Sequence, residues 1–242
     1  LPWLEARGIR YLMLTNNSVR TPVGWGDKMA ALSMPVSPDR IMTAAQATGA
    51  YLRQESPQGG RVYIVGGQGL TEAILGPGDG LFTLDEHHPD FVLVGLDPDF
   101  TYEKMKRACL AIRAGARFIA SNPDRTFPAE EGIYPGAGAI VASIEACTGV
   151  KPLVIGKPEG AAFELALARL GADRRTTAML GDRLDTDILG GIQAGLTTIM
   201  VLTGISSAAD LAASPYRADY VFPGLPELMK EWLQTNQDNY GN

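Results

Sequence analysis

Three polar clusters each follow directly on a short apolar run, and their residue types could do chemistry. The first is Gly181-Asp182-Arg183-Leu184-Asp185-Thr186-Asp187, after residues 177–180. Asp182 directly follows the apolar run, and Asp187 lies where the next helical pattern begins. Carboxylates this close repel unless a cation or a basic group neutralises them. Hard oxygen ligands that leave room for waters and a phosphate suit Mg²⁺. Helix capping accounts for Asp185 or Asp187 but hardly for Asp182 as well. The second cluster is Gly156-Lys157-Pro158, where Lys157 can place a point charge over a ligand; a solvated loop lysine is the plainer reading. The third is Thr15-Asn16-Asn17-Ser18, a hydroxyl and successive backbone N–H groups suited to a phosphate or carboxylate. The same residue types also form turns and helix caps.

The elements that must position these clusters alternate along the chain. Residues 9–14, 61–65, 91–96, 117–120, 152–155, 177–180 and 198–202 are apolar and read as buried strands. Helical patterns lie at 44–53, 102–114, 137–148, 161–170, 188–194 and 225–234. Near-continuous apolar strands alternating with helices predict an α/β fold with parallel sheets covered on both faces. In such sheets ligands bind beyond the carboxyl ends of the strands, which is where all three clusters fall. Residues 60–149 carry their own strand–helix series, so the expected organisation is a core of 1–59 and 150–242 with 60–149 inserted as a second domain. A weak internal echo relates 10–22 to 117–128, both strands ending in Thr/Ser-Asn.

Composition narrows the function classes. The 242 residues are 45% apolar and 20% charged with a net charge of −6, which excludes collagen, a coiled coil and a disordered chain. That charge argues against nucleic acid or an anionic membrane as partner. The longest apolar runs, 11–14 and 199–202, are too short to span a bilayer. Two cysteines, Cys109 and Cys147, cannot build a disulfide framework or a four-ligand zinc site, and they read as buried free thiols of a cytoplasmic protein. The only histidines are His87 and His88, so a Ser-His-Asp triad or a His-ligated metal would need one of them. Gly66-Gly67-Gln68-Gly69 lacks the dinucleotide spacing and reads as a strand–helix turn.

Taken in order, LTNNS (14–18), VIGKP (154–158) and MLGDRLDTDILGG (179–191) resemble the second, third and fourth motifs of the haloacid dehalogenase (HAD) superfamily. The resemblance is closest to its NagD-like, p-nitrophenyl phosphatase subfamily. TAAQATGAYL, VGLDPDFTYEKM, ARFIASNPDRTFP, EGIYPGAGAIVASIEACTG and GLTTIMVLTGIS extend it over nearly the whole chain. It implies a Rossmann-like parallel-sheet core with an inserted α/β cap, and Mg²⁺-dependent hydrolysis of a small phosphorylated metabolite through an aspartyl-phosphate. By resemblance, Thr15, Asn16 and Asn17 bind the phosphoryl oxygens and Lys157 neutralises nucleophile and phosphate. Asp182 ligates the metal, with Asp187 holding a metal water or orienting the site. The cap supplies substrate choice: Asp97, Asn122, Asp124 and Phe127 are the candidates. Relatives that hydrolyse pyridoxal phosphate carry His where this chain has Phe127, which argues against a vitamin B6 substrate. A homodimer through the cap is also expected from the family.

One family feature is absent. The first motif, an Asp-x-Asp ending a strand before the first helix, is not found in its context: Asp97-Pro98-Asp99 falls in the cap and Asp185-Thr186-Asp187 in the fourth motif. The opening Leu-Pro-Trp-Leu-Glu-Ala-Arg-Gly reads as the end of an amphipathic helix. The expectation is therefore that the nucleophile and general acid lie upstream of Leu1. The alternative is a catalytically inactive phosphate-binding protein, and a third reading is an assembly module built on the cap.

Overall fold

The structure is a computed structural model that describes residues 1–76 and 78–239. The chain clusters into two compact units, Leu1–Lys157 and Pro158–Asn242.

In the first unit, β1 (Met13–Thr15) pairs in parallel with β2 (Ile41–Thr43). The helix Pro22–Ala31 lies between them in sequence, started by Pro22 at its first position and by the Thr21 hydroxyl, which accepts from Gly24 N. β2 runs straight into the helix Ala44–Glu55, whose entry is a reciprocal cap: Thr43 accepts from Gln46 N while the Gln46 side chain accepts from Thr43 N. Next come β3 (Gly60–Val65), β4 (Phe82–Leu84), β5 (Phe91–Val94) and β6 (Arg117–Ala120), all parallel, in the order β4-β3-β5-β6. β7 (Thr126–Ala129) and β8 (Gly132–Pro135) form an antiparallel ribbon, and β9 (Leu153–Val154) adds to the far edge of β6.

Register shows which side chains build the core. Tyr63 pairs with Val92 and Val92 with Phe118; Val65, Val94 and Ala120 align two residues on. Side chains two apart share a face, and that face packs on Cys109 and Ile112 of the helix Tyr102–Arg113 and on Ile140 and Ile144 of the helix Ala137–Thr148. Leu93 and Ile119, on the opposite face, are fully buried too. Burial on both faces is why β5 reads as an uninterrupted apolar run.

The second unit holds β10 (Ala178–Gly181), β11 (Thr197–Val201) and β12 (Tyr220–Phe222), a parallel sheet in sequence order. Leu184, Ile188 and Met200 form its small buried cluster, joined by Leu202, Leu211 and Ala218. Among the described residues no helix is long and apolar enough to cross a membrane.

The α/β class with parallel sheets is the one the sequence predicts. β9 joins the sheet of β3 to β6, and past it Ile155 N and Gly156 N donate to Ala120 O and Ser121 O at 3.0 and 2.9 Å. A two-residue strand goes to whichever edge completes its ladder. The cysteines differ from expectation in part. Cys109 is buried, but Cys147 is exposed on its helix. Burial, with the Cys147 thiol beside it, pushes the Cys109 thiol up to about 12.

Candidate active site

In the first unit, three strand ends deliver polar groups to one place. β1 ends on Thr15, half-buried, and the chain turns at Asn16 and Asn17. The Asn17 side chain accepts from Val19 N and Arg20 N at 3.1 and 3.2 Å, and Asn17 N donates to Thr15 Oγ1 at 3.2 Å. This is the local Asn turn expected of the residue type. β6 leads into Ser121 and Asn122, both buried, and β9 into Gly156 and Lys157.

Lys157 is bound at both ends. Its Nζ donates to Leu14 O at 2.9 Å, and its carbonyl accepts from Asn16 Nδ2 at 2.8 Å. The residue is only 8% exposed, so an ammonium is held beside the Thr15–Asn16 turn at low solvent access. Gly156 permits this approach. A side chain there would stand 2.5 Å from Ser121 O and 2.8 Å from Asn16 Oδ1.

The structure thus brings Thr15, Asn16, Asn17 and Lys157 together and ties Asn122 and Asp124 to them. Asn16 Nδ2 donates to Asp124 Oδ1 at 3.1 Å, and Asn122 Nδ2 donates to Asn16 O at 2.7 Å. The two remaining candidates, Asp97 and Phe127, are engaged differently. Asp97 is 5% exposed, takes Lys104 Nζ at 2.7 Å and accepts from Asp99 N at 3.0 Å. Phe127 sits on the β7–β8 ribbon, edge-to-face with Tyr134 across the ladder at 5.7 Å. Ser18, the last residue of the Thr15–Ser18 cluster, is fully buried: it accepts from Leu96 N at 3.3 Å and so joins the β1 turn to the segment after β5, a partner that spacing does not reveal.

In the second unit, Asp182 follows β10 directly. One of its oxygens accepts from Ile205 N at 2.8 Å, and its carbonyl accepts from Ser206 N at 3.1 Å. Gly204 lets the carboxylate lie flat on that loop: an added Cβ would fall 1.9 Å from Asp182 Oδ2. Leu184–Ile188 forms a single π-type turn, a feature frequent at functional sites. Within it, Asp187 is 5% exposed, and its Oδ2 accepts from Asp182 N and Arg183 N at 3.3 and 3.1 Å. Asp185 points to solvent, paired with Arg183 at 2.8 Å.

Among the described residues no three ligating side chains converge on one point. Asp182 and Asp187 supply hard oxygens, which fits a divalent ion that keeps waters and a substrate oxygen in its shell. Two surface clefts, of about 350 Å³ beside Val23, Gly26 and Pro38 and about 340 Å³ beside Arg61, His87 and His88, contain none of these residues. The strand ends are the better candidate, because ligands bind beyond the carboxyl ends of the strands in open parallel sheets.

Family models match both ends of the chain: "haloacid dehalogenase-like hydrolase" over residues 1–78 and "HAD-hydrolase-like" over 154–228. The acid sugar phosphatase of Staphylococcus aureus is 41% identical over 231 residues, covering 96% of this chain and 88% of the relative. The chain belongs to the HAD-like hydrolases, in their NagD-like branch. Among solved HAD-like structures, a 4-nitrophenylphosphatase from Thermotoga maritima superposes with a TM-score of 0.88 at 35% identity, covering 94% of this chain and 86% of that one. NagD from Escherichia coli K-12 gives 0.84 at 35% identity, covering 92% and 86%. As a HAD-like hydrolase with these relatives, the protein is a phosphoric monoester hydrolase.

The crowding around Gly156 is testable. Gly156→Ala places a methyl against backbone and a buried amide, and is expected to destabilise the protein by ~1–3 kcal/mol, read as a lowered urea midpoint. An unchanged midpoint would show that the turn before Lys157 opens freely.

Proposed function

We propose that this protein is a Mg²⁺-dependent phosphatase of small phosphorylated metabolites, with sugar phosphates the substrate class to test first. The observation that carries the reading is the buried Lys157 ammonium fixed beside the Thr15 hydroxyl and the Asn16–Asn17 turn. A point cation and a hydroxyl on a rigid turn match the negative oxygens of a phosphoryl group. The sugar class is favoured by the S. aureus relative, an acid sugar phosphatase.

In this reading Thr15 and the Asn16–Asn17 backbone orient the phosphoryl group, and Lys157 offsets the charge that builds during transfer. Such catalysis is mostly positioning and electrostatic stabilisation. In the second unit, Asp182 and Asp187 would hold the divalent ion, which when bound supplies Lewis-acid chemistry. The attacking group and the acid that protonates the leaving group are not assigned to Asp97-Pro98-Asp99 or Asp185-Thr186-Asp187, neither of which directly ends a strand.

Two variants of the complete protein test these roles. Asp182→Asn is expected to abolish Mg²⁺-dependent release of p-nitrophenol from p-nitrophenyl phosphate, while normal turnover would remove Asp182 from the metal site. Lys157→Ala is expected to lower kcat/KM by at least about two orders of magnitude, ~2.7 kcal/mol of transition-state stabilisation. An unchanged rate would put Lys157 outside the site.

A further inference from the structure

Asn122 lies in the cap segment where substrate choice is expected, yet its side-chain amide is spent inside the protein. Both Nδ2 hydrogens are committed, one to Asn16 O at 2.7 Å and one to Ser121 Oγ at 3.2 Å. Its Oδ1 accepts from Asp124 N at 3.1 Å. The residue is 3% exposed. An amide with these commitments has no donor left for a leaving group.

Its strongest contact acts on the phosphate turn. The Asn16 carbonyl that Asn122 holds belongs to the same planar peptide as the Asn17 N–H, so fixing one end aims the other. That N–H donates to Thr15 Oγ1 at 3.2 Å. A hydroxyl oxygen that is accepting one bond keeps its own hydrogen for a second partner. The Asn17 N–H thus sets which way the Thr15 hydroxyl can donate.

We propose that Asn122 is a positioning residue for phosphoryl binding. It acts through the Asn16–Asn17 peptide to hold the Thr15 hydroxyl as a donor to the bound anion. Asp124 supports the arrangement from the other side by taking Asn16 Nδ2. The inserted segment thereby sets the geometry of the phosphate turn and does not select the leaving group through this residue. The inference rests on the phosphatase reading.

The test uses the complete protein with Asn122→Ala and the isosteric Asn122→Asp, which keeps the acceptor but loses the donor to Asn16 O. Hydrolysis is measured on p-nitrophenyl phosphate and on glycerol phosphate, with inorganic phosphate as competitive inhibitor. Both variants are expected to lose at least about tenfold in kcat/KM, by the same factor on the two esters, with a matching rise in the phosphate inhibition constant. In a Thr15→Val background, the further change Asn122→Ala should move that constant less than about twofold, because the group it acts through is gone. A loss that differs between the esters with phosphate inhibition unchanged would mean a leaving-group contact and would overturn the proposal. Additive effects in the double variant, unaltered kinetics, or loss of cooperative unfolding in both single variants would overturn it too. If the unaltered protein neither turns over a phosphate ester nor is inhibited by phosphate, it is the phosphatase reading that fails.

Discussion

The buried amide of Asn16 is the joint on which the first unit's polar strand ends depend. Its two side-chain hydrogens go to Asp124 and to the Lys157 carbonyl, and its own carbonyl is taken by Asn122. A buried polar group without a partner costs ~1–3 kcal/mol, so each of these bonds is conditional on the others. The partners lie 106 to 141 residues away in sequence. The segments after β6 and β9, which share no ladder hydrogen bond with β1, are therefore held against it by bonds that each involve a side chain. The Lys157 ammonium, bonded to Leu14 O, is fixed by the same joint.

That joint explains what the sequence could and could not disclose. Strand ends are legible because apolar β-branched runs stop abruptly at Thr15, Asn122, Lys157 and Asp182, and chemistry-bearing residues at such ends mark a site in any open parallel sheet. The partners of those residues are not legible. Nothing in the spacing tells that Asn122 reaches Asn16, or that Asp97 is taken by Lys104 on the following helix. Asn122 and Asp97 look alike in sequence, each a polar residue just past a strand of the β3–β6 sheet. The structure separates them.

Fold elements divide in the same way. β5 is apolar along its length, and β6 after Arg117, because both faces are covered there, and their bounds are close to those the pattern predicts. β2 is only three residues long and merges into the helix it precedes, too short for any periodicity to register. β7 and β8 carry prolines and leave most of their side chains exposed, so they lack both the composition and the alternation of a half-buried strand. β9 is recognisable as a strand, but which sheet it joins depends on an edge offered by distant residues.

The second unit meets a different constraint, and meets it without side-chain partners from afar. Two unit charges ~4 Å apart repel by ~4 kcal/mol at an effective dielectric of ~20, so acids clustered after β10 need donors. Backbone N–H groups provide them: Ile205 to Asp182, and Asp182 and Arg183 to Asp187. Hydrogen bonds to charged acceptors contribute ~1.5–3 kcal/mol each, the same scale as the repulsion they offset. The two aspartates differ in exposure: Asp187 is buried and holds the turn's N–H groups, and Asp182 is half-buried beside Gly204. The π-type turn sets the Asp187 carboxylate against the N–H groups of Asp182 and Arg183. A loop held in this way by its own backbone is ordered by local hydrogen bonds and needs no distant side chain to fix its geometry.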